Sequence, residues 1–270
     1  MASIPKRISN RFIKEVGRFK KVLQDARDRD INESDTVRIV SDILCEVFGF
    51  DKYTEITREY GISKTYCDLA VKFGGEIKYL IEVKSINTDL KEGHLRQVVN
   101  YGANEGIQWV VLTNGLIWKI YNVSLKKKVK YSKLFEIDFL NINPRIIADQ
   151  ELLFLLTKRG FHKDAIADYH ERIKIVNPHV ICAILINNPS LNLIRKELKQ
   201  LVPKLRIDTE EITALLINEV LKRNLLEGEE ASKAQKQYNK LLKRKSKPVA
   251  RDRHAPPEQE KPVEESEKNH

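Results

Sequence analysis

Apolar residues recur every three or four positions along the first fifty residues of the chain. This spacing places them on one face of a helix, with polar residues between them on the other face. The first stripe predicts a basic amphipathic helix over about residues 7 to 27, with Ile8, Phe12, Val16, Phe19 and Leu23 on its apolar side. A helix start follows at residues 30–34, and a second apolar stripe continues from it until Gly49.

The pattern becomes strand-like between Cys67 and Lys84, where apolar and β-branched residues surround a few charged ones. Two strands, one through residues 67–71 and one through residues 79–84, are predicted on either side of the Gly74-Gly75 turn. Because side chains alternate along a strand, Glu82 and Lys84 share one face and the residues between and before them share the other. Ionised side chains in such a setting need compensation by an opposite charge or an ion.

The register of this hairpin follows from its apolar face. A two-residue turn would pair residue 73 with 76 and would mix apolar and charged side chains on one face. One extra residue in the loop pairs 73 with 77 and gives an apolar face of positions 67, 69, 71 and 73 with 77, 79, 81 and 83. It also places Asp68 opposite Glu82. Two facing carboxylates are unfavourable unless a divalent cation lies between them, so the pattern predicts a metal site.

The rest of the chain completes an α/β core and then becomes helical. A helix is predicted over about residues 90 to 105, followed by strands Ile107–Thr113 and Leu116–Val123 joined at Asn114-Gly115, a hairpin signal. This order predicts a sandwich-like α/β core that ends near residue 135. From Pro144 to about Leu226 only helical patterns occur, and beyond Gly228 the chain is charged and has few large apolar residues.

The charge of the chain indicates a polyanionic partner. It has 270 residues with 48 Lys+Arg against 38 Asp+Glu, a formal net charge of +10. The three cysteines are far apart and form no C-x-x-C pair, which argues against a zinc site or a disulfide framework and for a reducing compartment. No signal peptide or membrane-spanning run is present in the sequence, so we expect a cytoplasmic protein without a membrane partner.

Asp68 followed by Glu82-Val83-Lys84 resembles the motif of the PD-(D/E)XK nuclease superfamily, with Cys67 at the position of the proline. Gln97 and Tyr101 resemble the Q-x-x-x-Y element of the RecB-like branch of this superfamily. The stretch Leu112-Thr113-Asn114-Gly115, with Trp118 and Tyr121 beyond it, is similar to the strand pair in the N-terminal nuclease domain of type I restriction enzyme R subunits. The resemblance covers residues about 30 to 125.

The resemblance implies a restriction-endonuclease-like mixed β-sheet flanked by helices, followed by an all-α C-terminal domain. The expected organisation is a basic N-terminal helix (1–29), a nuclease-like domain (30–140), a helical domain (141–228) and a charged, largely disordered tail (229–270).

The resemblance also implies the roles of the site residues. Asp68, Glu82 and the Val83 carbonyl are the expected ligands of Mg²⁺, with Mn²⁺ as a substitute. Lys84 is expected to orient or deprotonate the attacking water and to counter charge on the phosphate. Gln97 and Tyr101 are expected to steady Lys84 or to bind the backbone phosphate. Glu33 is either an additional acid of the site or an ordinary acid that stabilises a helix N-terminus.

The expected function is metal-dependent endonucleolytic cleavage of DNA, with RNA and a homodimer left open. Lys126, Lys127, Lys128 and Lys130 either grip DNA phosphates or form a solvated edge that discourages strand pairing. The sequence contains no G-x-x-x-x-G-K-[ST] motif, so the ATP-driven motor of complete R subunits is missing from this chain. Two alternatives remain: a non-catalytic nucleic-acid-binding module of the same fold, and an interaction protein that acts through its helical half.

Overall fold

The computed structural model describes residues 4–62, 65–124 and 129–245. The chain divides into two compact units, Met1–Lys174 and Ile175–His270. The first unit contains the sheet and the helices that pack on it. The finer boundaries expected at residues 29, 140 and 228 stay predictions.

The first unit is built on a mixed sheet with strand order β1-β2-β3-β4-β5-β6. Its strands are β1 (Ile56–Ile62), β2 (Thr65–Phe73), β3 (Glu76–Val83), β4 (Trp109–Thr113), β5 (Ile117–Ser124) and β6 (Lys130–Asp138). Strands β3 and β4 are parallel and are connected by a helical crossover, whereas the other neighbouring pairs are antiparallel. The expected α/β class with a mixed sheet is confirmed.

Helices cover both faces of the sheet. The helices of the first unit are α1 (Lys6–Asp28), α2 (Glu33–Glu46), α3 (Glu92–Glu105), α4 (Ile147–Leu155), α5 (Lys158–His162) and α6 (Ala165–Ile175). The apolar stripes of α1 and α2 bury Phe12, Val16 and Leu44 in one core with sheet residues such as Ile81 and Val83. Helix α3 buries its own apolar face in a second core on the other side of the sheet. Both predicted stripes are therefore confirmed as core-facing helices.

The β2–β3 hairpin has the predicted register but reaches it by a different route. Its turn is the two-residue Gly74-Gly75, with φ of +62° and +82°, and Phe73 pairs with Glu76. The extra residue is Lys78, a β-bulge on β3 between the pairs Lys72–Ile77 and Val71–Tyr79. The expected three-residue loop is therefore wrong, because a bulge shifts the register by one residue just as a longer loop does.

Two side chains of this hairpin lie on the opposite face of the sheet from the one predicted. Ile77, expected on the face of Ile81 and Val83, packs in the second core, because the bulge at Lys78 reverses the alternation. Cys67 was expected beside Leu69 but also lies in the second core. The reversal at Cys67 coincides with a left-handed residue, φ +49°, at position 59 in the neighbouring strand β1.

The sequence analysis did not predict the two edge strands. Strand β1 has the sequence ITREYGI, in which charged residues interrupt the apolar alternation, and only its terminal isoleucines are buried. Strand β6 begins with exposed residues and becomes buried only from Leu134. Edge strands are exposed on one side and carry polar residues, so their hydrophobic signal is weak.

The second unit is helical. It contains α7 (Pro178–Leu185), α8 (Asn188–Leu201), α9 (Thr209–Leu215), a π-helical turn (Leu216–Val220), a 3₁₀ turn (Arg223–Leu225) and α10 (Gly228–Lys245). Val180, Ala183 and Ala234 form a small core between α7 and α10. Helix α10 occupies the first part of the segment expected as a charged tail, because its small apolar face packs on α7. The remainder, residues 246–270, lies outside the described residues.

Candidate active site

The candidate site lies at the end of the inner strand β3, beside the first residue of α2. Asp68 is in the middle of β2, and Glu82 and Val83 are the last two residues of β3. Lys84 follows directly, and its backbone N–H donates to the carbonyl of the neighbouring strand β4. Glu33 is the first residue of α2. Two strands and a helix N-terminus thus bring together five of the residues that were predicted from the sequence.

Lys84 lies between two of the acids. Its Nζ donates to Glu82 Oε1 at 2.7 Å and lies 3.5 Å from Glu33 Oε2. The side chain of Glu82 is 1% exposed, that of Lys84 is 16% exposed and that of Glu33 is 49% exposed. The ammonium group therefore connects a fully buried carboxylate to one that faces solvent.

Asp68 is oriented by the main chain of the neighbouring strand. Its Oδ2 accepts a hydrogen bond from the Val83 N–H at 2.7 Å. Asp68 and Glu82 directly follow the pair Leu69–Ile81, whose register is the one that the apolar pattern predicted, and the charge of Asp68 acts on Glu82. Burial raises the pKa of Asp68 above its usual value, although the hydrogen bond from Val83 and the charge of Lys84 act in the other direction.

The two buried charges of the site influence each other's protonation. Burial, followed by the negative charge of Asp68, raises the pKa of Glu82 to about 7. Burial lowers the pKa of Lys84, but its hydrogen bond to Glu82 and the charges of the three acids outweigh this effect and raise that pKa. Lys84 is therefore charged at neutral pH, whereas Glu82 titrates close to neutrality.

Glu82 has one oxygen that no described residue satisfies. Its Oε2 is buried and has no hydrogen-bond partner among the residues that the structure describes. An unpartnered buried oxygen of this kind is costly. A divalent cation would remove the cost, because Mg²⁺ takes hard oxygen ligands and binds through one or two carboxylates together with water and substrate.

The chemistry of Asp68, Glu82 and the Val83 carbonyl therefore fits a hard divalent cation. Within the described ranges, no group of three or more His, Cys, Asp or Glu side chains is arranged to hold a metal ion. The protein side chains would thus supply only part of the coordination, as is usual for Mg²⁺. Metal binding itself stays a prediction.

Gln97 and Tyr101 bind each other on α3. Gln97 Nε2 donates to Tyr101 Oη at 2.9 Å, and the Tyr101 ring is buried in the second core. No hydrogen bond between described residues joins this pair to Lys84 or to the acids. The structure therefore confirms that the two residues share a helix face, while their expected contact with Lys84 stays a prediction.

Thr113 and Asn114 hold the end of β4 beside the site, a positioning role that the sequence analysis did not assign to them. The carbonyl of Thr113 accepts the Lys84 N–H at 2.8 Å, and its hydroxyl bonds to Ile117 O and Gly115 N. Asn114 Oδ1 accepts from the N–H groups of Leu116 and Ile117. Asn114-Gly115 was noted as a hairpin signal and Thr113 as part of the resemblance, and these two signals together could have identified both residues as supports for Lys84.

The predicted lysine cluster lies mostly outside the described residues. Lys126, Lys127 and Lys128 belong to the range 125–128, which the structure does not describe. Lys130 is the exposed first residue of the edge strand β6, where it pairs with Ser124. Its expected contact with nucleic acid stays a prediction.

The first unit is thus a mixed α/β domain in which a six-stranded sheet has helices on both faces, with Asp68 of β2, Glu82 of β3 and Lys84 close together. Residues 38–137 match the family described as type I restriction enzyme R protein N terminus (HSDR_N). The match confirms the resemblance over this part of the chain. It includes Asp68, Glu82, Lys84, Gln97 and Tyr101, whereas Glu33 precedes it.

No curated protein and no solved structure matches the chain. None of the helices in the described part of the chain is both long and apolar enough to cross a membrane.

Proposed function

We propose that this protein is a metal-dependent endonuclease that hydrolyses DNA phosphodiester bonds. The observation that carries the proposal is the convergence of Asp68, Glu82 and Lys84 at one edge of the sheet, with the buried Oε2 of Glu82 unpartnered by any described residue. The relation to the N terminus of type I restriction enzyme R proteins supports a nuclease and a DNA partner.

The proposal assigns each side chain a separate task. Asp68, Glu82 and the Val83 carbonyl would hold Mg²⁺, or Mn²⁺ in its place, and the hydrogen bond from the Val83 N–H fixes Asp68 for this purpose. When bound, the ion would draw charge from the scissile phosphate and make an attacking water more acidic. Lys84, charged and held by Glu82, would orient that water and stabilise negative charge on the phosphate.

Glu33 is the second acid that lies beside Lys84. Its carboxylate lies 3.5 Å from Lys84 Nζ and is half exposed, so it faces both the lysine and solvent. As the first residue of α2 it also lies at the positive end of a helix dipole. Both roles considered from the sequence are therefore compatible with one position.

A non-catalytic nucleic-acid-binding module is the second candidate, and one contact favours it. The Lys84–Glu82 ion pair at 2.7 Å already compensates part of the buried charge without a metal. In that case the ion pair would be structural, and removal of Lys84 would destabilise the fold without a specific loss of chemistry.

A cleavage assay on linear, nicked, supercoiled and single-stranded DNA, with Mg²⁺ or Mn²⁺ and with chelator, tests the proposal. We expect cleavage by the wild type only with metal. Lys84→Ala should lower the cleavage rate by a factor on the order of 10² or more, while DNA affinity stays within about twofold because one phosphate contact is a small part of binding. Lys78→Ala, in the strand β3 that precedes Lys84 and paired with the exposed Glu76, is the matched control.

Cleavage by wild type in chelator, or wild-type rates in folded Lys84→Ala, would contradict the proposal. Metal-independent DNA binding without any cleavage would favour the non-catalytic module. Circular dichroism melts of both lysine variants separate a chemical role of Lys84 from a structural one, because a structural role lowers the melting temperature.

A further inference from the structure

A second polar feature of the first unit is a cavity of about 480 Å³ that lies away from the candidate active site. Its walls come from the start of α1, the end of α2, the tip of the β2–β3 hairpin and the short helix α5. Helix α2 has 14 residues, so its two ends are separated by roughly 20 Å. Glu33 lies at one end of this helix and the cavity lies at the other.

The described residues that line the cavity include five basic side chains and no acid. The basic residues are Arg7, Arg11, Lys158, Arg159 and His162. Positive side chains repel each other, and gathering them in a concave site raises the local potential. Such an arrangement favours an anionic ligand.

Arg11 is the most constrained of these cations. Its Nε is buried and has no hydrogen-bond partner among the described residues, which also provide it no ion pair. Its guanidinium packs on Gly49, where an added Cβ would lie 2.5 Å from Nη1. Burial and the neighbouring charge of Arg7 lower the pKa of Arg11. An unpaired, partly desolvated guanidinium is costly unless an anion accepts its hydrogen bonds.

Only one of these cations is in an ion pair with an acid among the described residues. Glu55 Oε1 lies 2.6 Å from Lys158 Nζ, and the other carboxylate oxygen of Glu55 accepts the Asp51 N–H. Arg7, Arg11 and Arg159 have no described acidic partner, so a net positive charge remains. Guanidinium groups bind phosphate with two parallel hydrogen bonds, which makes phosphate the best-matched anion.

The cavity also has an apolar part. Phe73 contributes to its lining, and its ring contacts His162, another lining residue, edge-on with centroids 5.9 Å apart. A volume of this size is within the range of small-molecule sites, about 300–1,000 Å³. Aromatic side chains beside guanidinium groups suit a ligand with a phosphate and a ring or sugar attached.

We propose that this cavity binds a phosphate-bearing ligand of nucleotide size through Arg7, Arg11 and Arg159. Its phosphate comes either from a free nucleotide or from the 5′-phosphate end of a nucleic acid, and both present the same doubly charged group. The proposal is independent of the nuclease proposal, because the cavity shares no residue with the set Asp68, Glu82 and Lys84.

Isothermal titration calorimetry of the full chain in chelator tests this site. The probes are inorganic phosphate, AMP, ATP and two oligonucleotides of the same sequence, one with a 5′-phosphate and one with a 5′-hydroxyl. Saturable binding of a nucleotide identifies the free ligand. Binding of the phosphorylated oligonucleotide that exceeds binding of the hydroxyl form identifies the nucleic-acid end.

Variants show whether that binding occurs in the cavity. Arg11→Gln should weaken it by about tenfold or more, since it removes a charge-assisted phosphate contact. Arg7→Gln/Arg159→Gln removes two exposed cations and tests the same site if Arg11→Gln folds poorly. Arg145→Gln, an exposed arginine outside the cavity, is the matched control, and Glu82→Gln should leave phosphate binding unchanged.

Three results would overturn the proposal. The first is no saturable binding of any phosphate probe to the wild type. The second is equal affinity in the cavity variants and in Arg145→Gln. The third is equal binding of both oligonucleotides without nucleotide binding, which would identify a general backbone contact rather than a phosphate pocket.

Discussion

At the scale of single residues, Glu82 decides the energetics of the candidate site. A carboxylate that is 1% exposed loses nearly all of its hydration. Lys84 compensates one oxygen at 2.7 Å, whereas the other has no described partner. The protein therefore keeps a group at this position that opposes folding whenever it is charged, which is typical of functional sites.

This burial predicts a pH dependence of stability. The pKa of Glu82 is raised from 4.5 to about 7 by folding, so its contribution to stability is fully present below about pH 4.5 and is lost as the pH rises through about 7. In chelator, the free energy of unfolding should fall by about 3 kcal/mol between about pH 5 and pH 8, since each pKa unit corresponds to ~1.4 kcal/mol. Urea titrations at both pH values measure this difference.

Glu82→Gln should remove most of this pH dependence, because the amide does not titrate. Glu76→Gln, an exposed acid in the same strand, should retain it. An unchanged pH dependence in Glu82→Gln would show that other groups cause it. Asp68 has a pKa shift of the same direction and contributes with the same sign.

At the scale of elements, close packing of α3 on the sheet positions β3 and β4 as a parallel pair. Gly102 of α3 has no Cβ, and an added one would lie 2.7 Å from Val110 Cγ1 and 2.9 Å from Ile107 O. The helix can therefore approach the sheet closely at this turn. This approach holds the crossover that brings the end of β3 beside Thr113 of β4.

Two glycines of the same helix test this packing. Gly102→Ala should destabilise the protein by about 1–3 kcal/mol, the usual cost of overpacking. Gly93→Ala, where nothing lies within 4 Å of the added Cβ, should be neutral or stabilising by a few tenths of a kcal/mol, because alanine favours a helix. Chemical denaturation of both variants compares them, and equal effects would show that α3 does not need the close approach.

At the scale of the whole molecule, the positive charge exceeds what the candidate site requires. The formal net charge is +10, and part of it is concentrated on α1, in the basic cavity and at residues 126–130. An excess of this kind attracts a polyanion over a distance set by the ionic strength. We therefore expect the excess charge to serve binding of the proposed nucleic-acid partner, not the chemistry at Glu82 and Lys84.

The affinity for DNA should therefore depend strongly on salt. Each neutralised phosphate releases counterions, so the affinity should fall by about tenfold or more when salt rises from about 50 to 200 mM. Fluorescence anisotropy with labelled duplex DNA, in chelator to prevent cleavage, measures this slope. Glu82→Gln should show the same slope, because the acid contacts no phosphate. An affinity that does not change with salt would contradict an electrostatic mode of binding.

The helices and strands were predicted correctly from the sequence where the hydrophobic periodicity is strong. The stripes of α1 and α2, the helix α3 and the β4–β5 hairpin are present close to the expected residues. The register of β2 and β3 beside Asp68 and Glu82 was also predicted, because burial of one strand face permits only one register. The edge strands β1 and β6 were not predicted, since exposure on one side weakens their pattern.

The sequence by itself therefore determined which residues can form the candidate site, because local periodicity and the spacing of Asp68, Glu82 and Lys84 are properties of the chain. Only the tertiary structure decided how they meet. The bulge at Lys78 sets the register, the β3–β4 crossover fixes Lys84 beside Thr113, and the N-terminus of α2 brings Glu33 to 3.5 Å from the lysine. The basic cavity also depends on tertiary structure, because four segments distant in sequence form its walls.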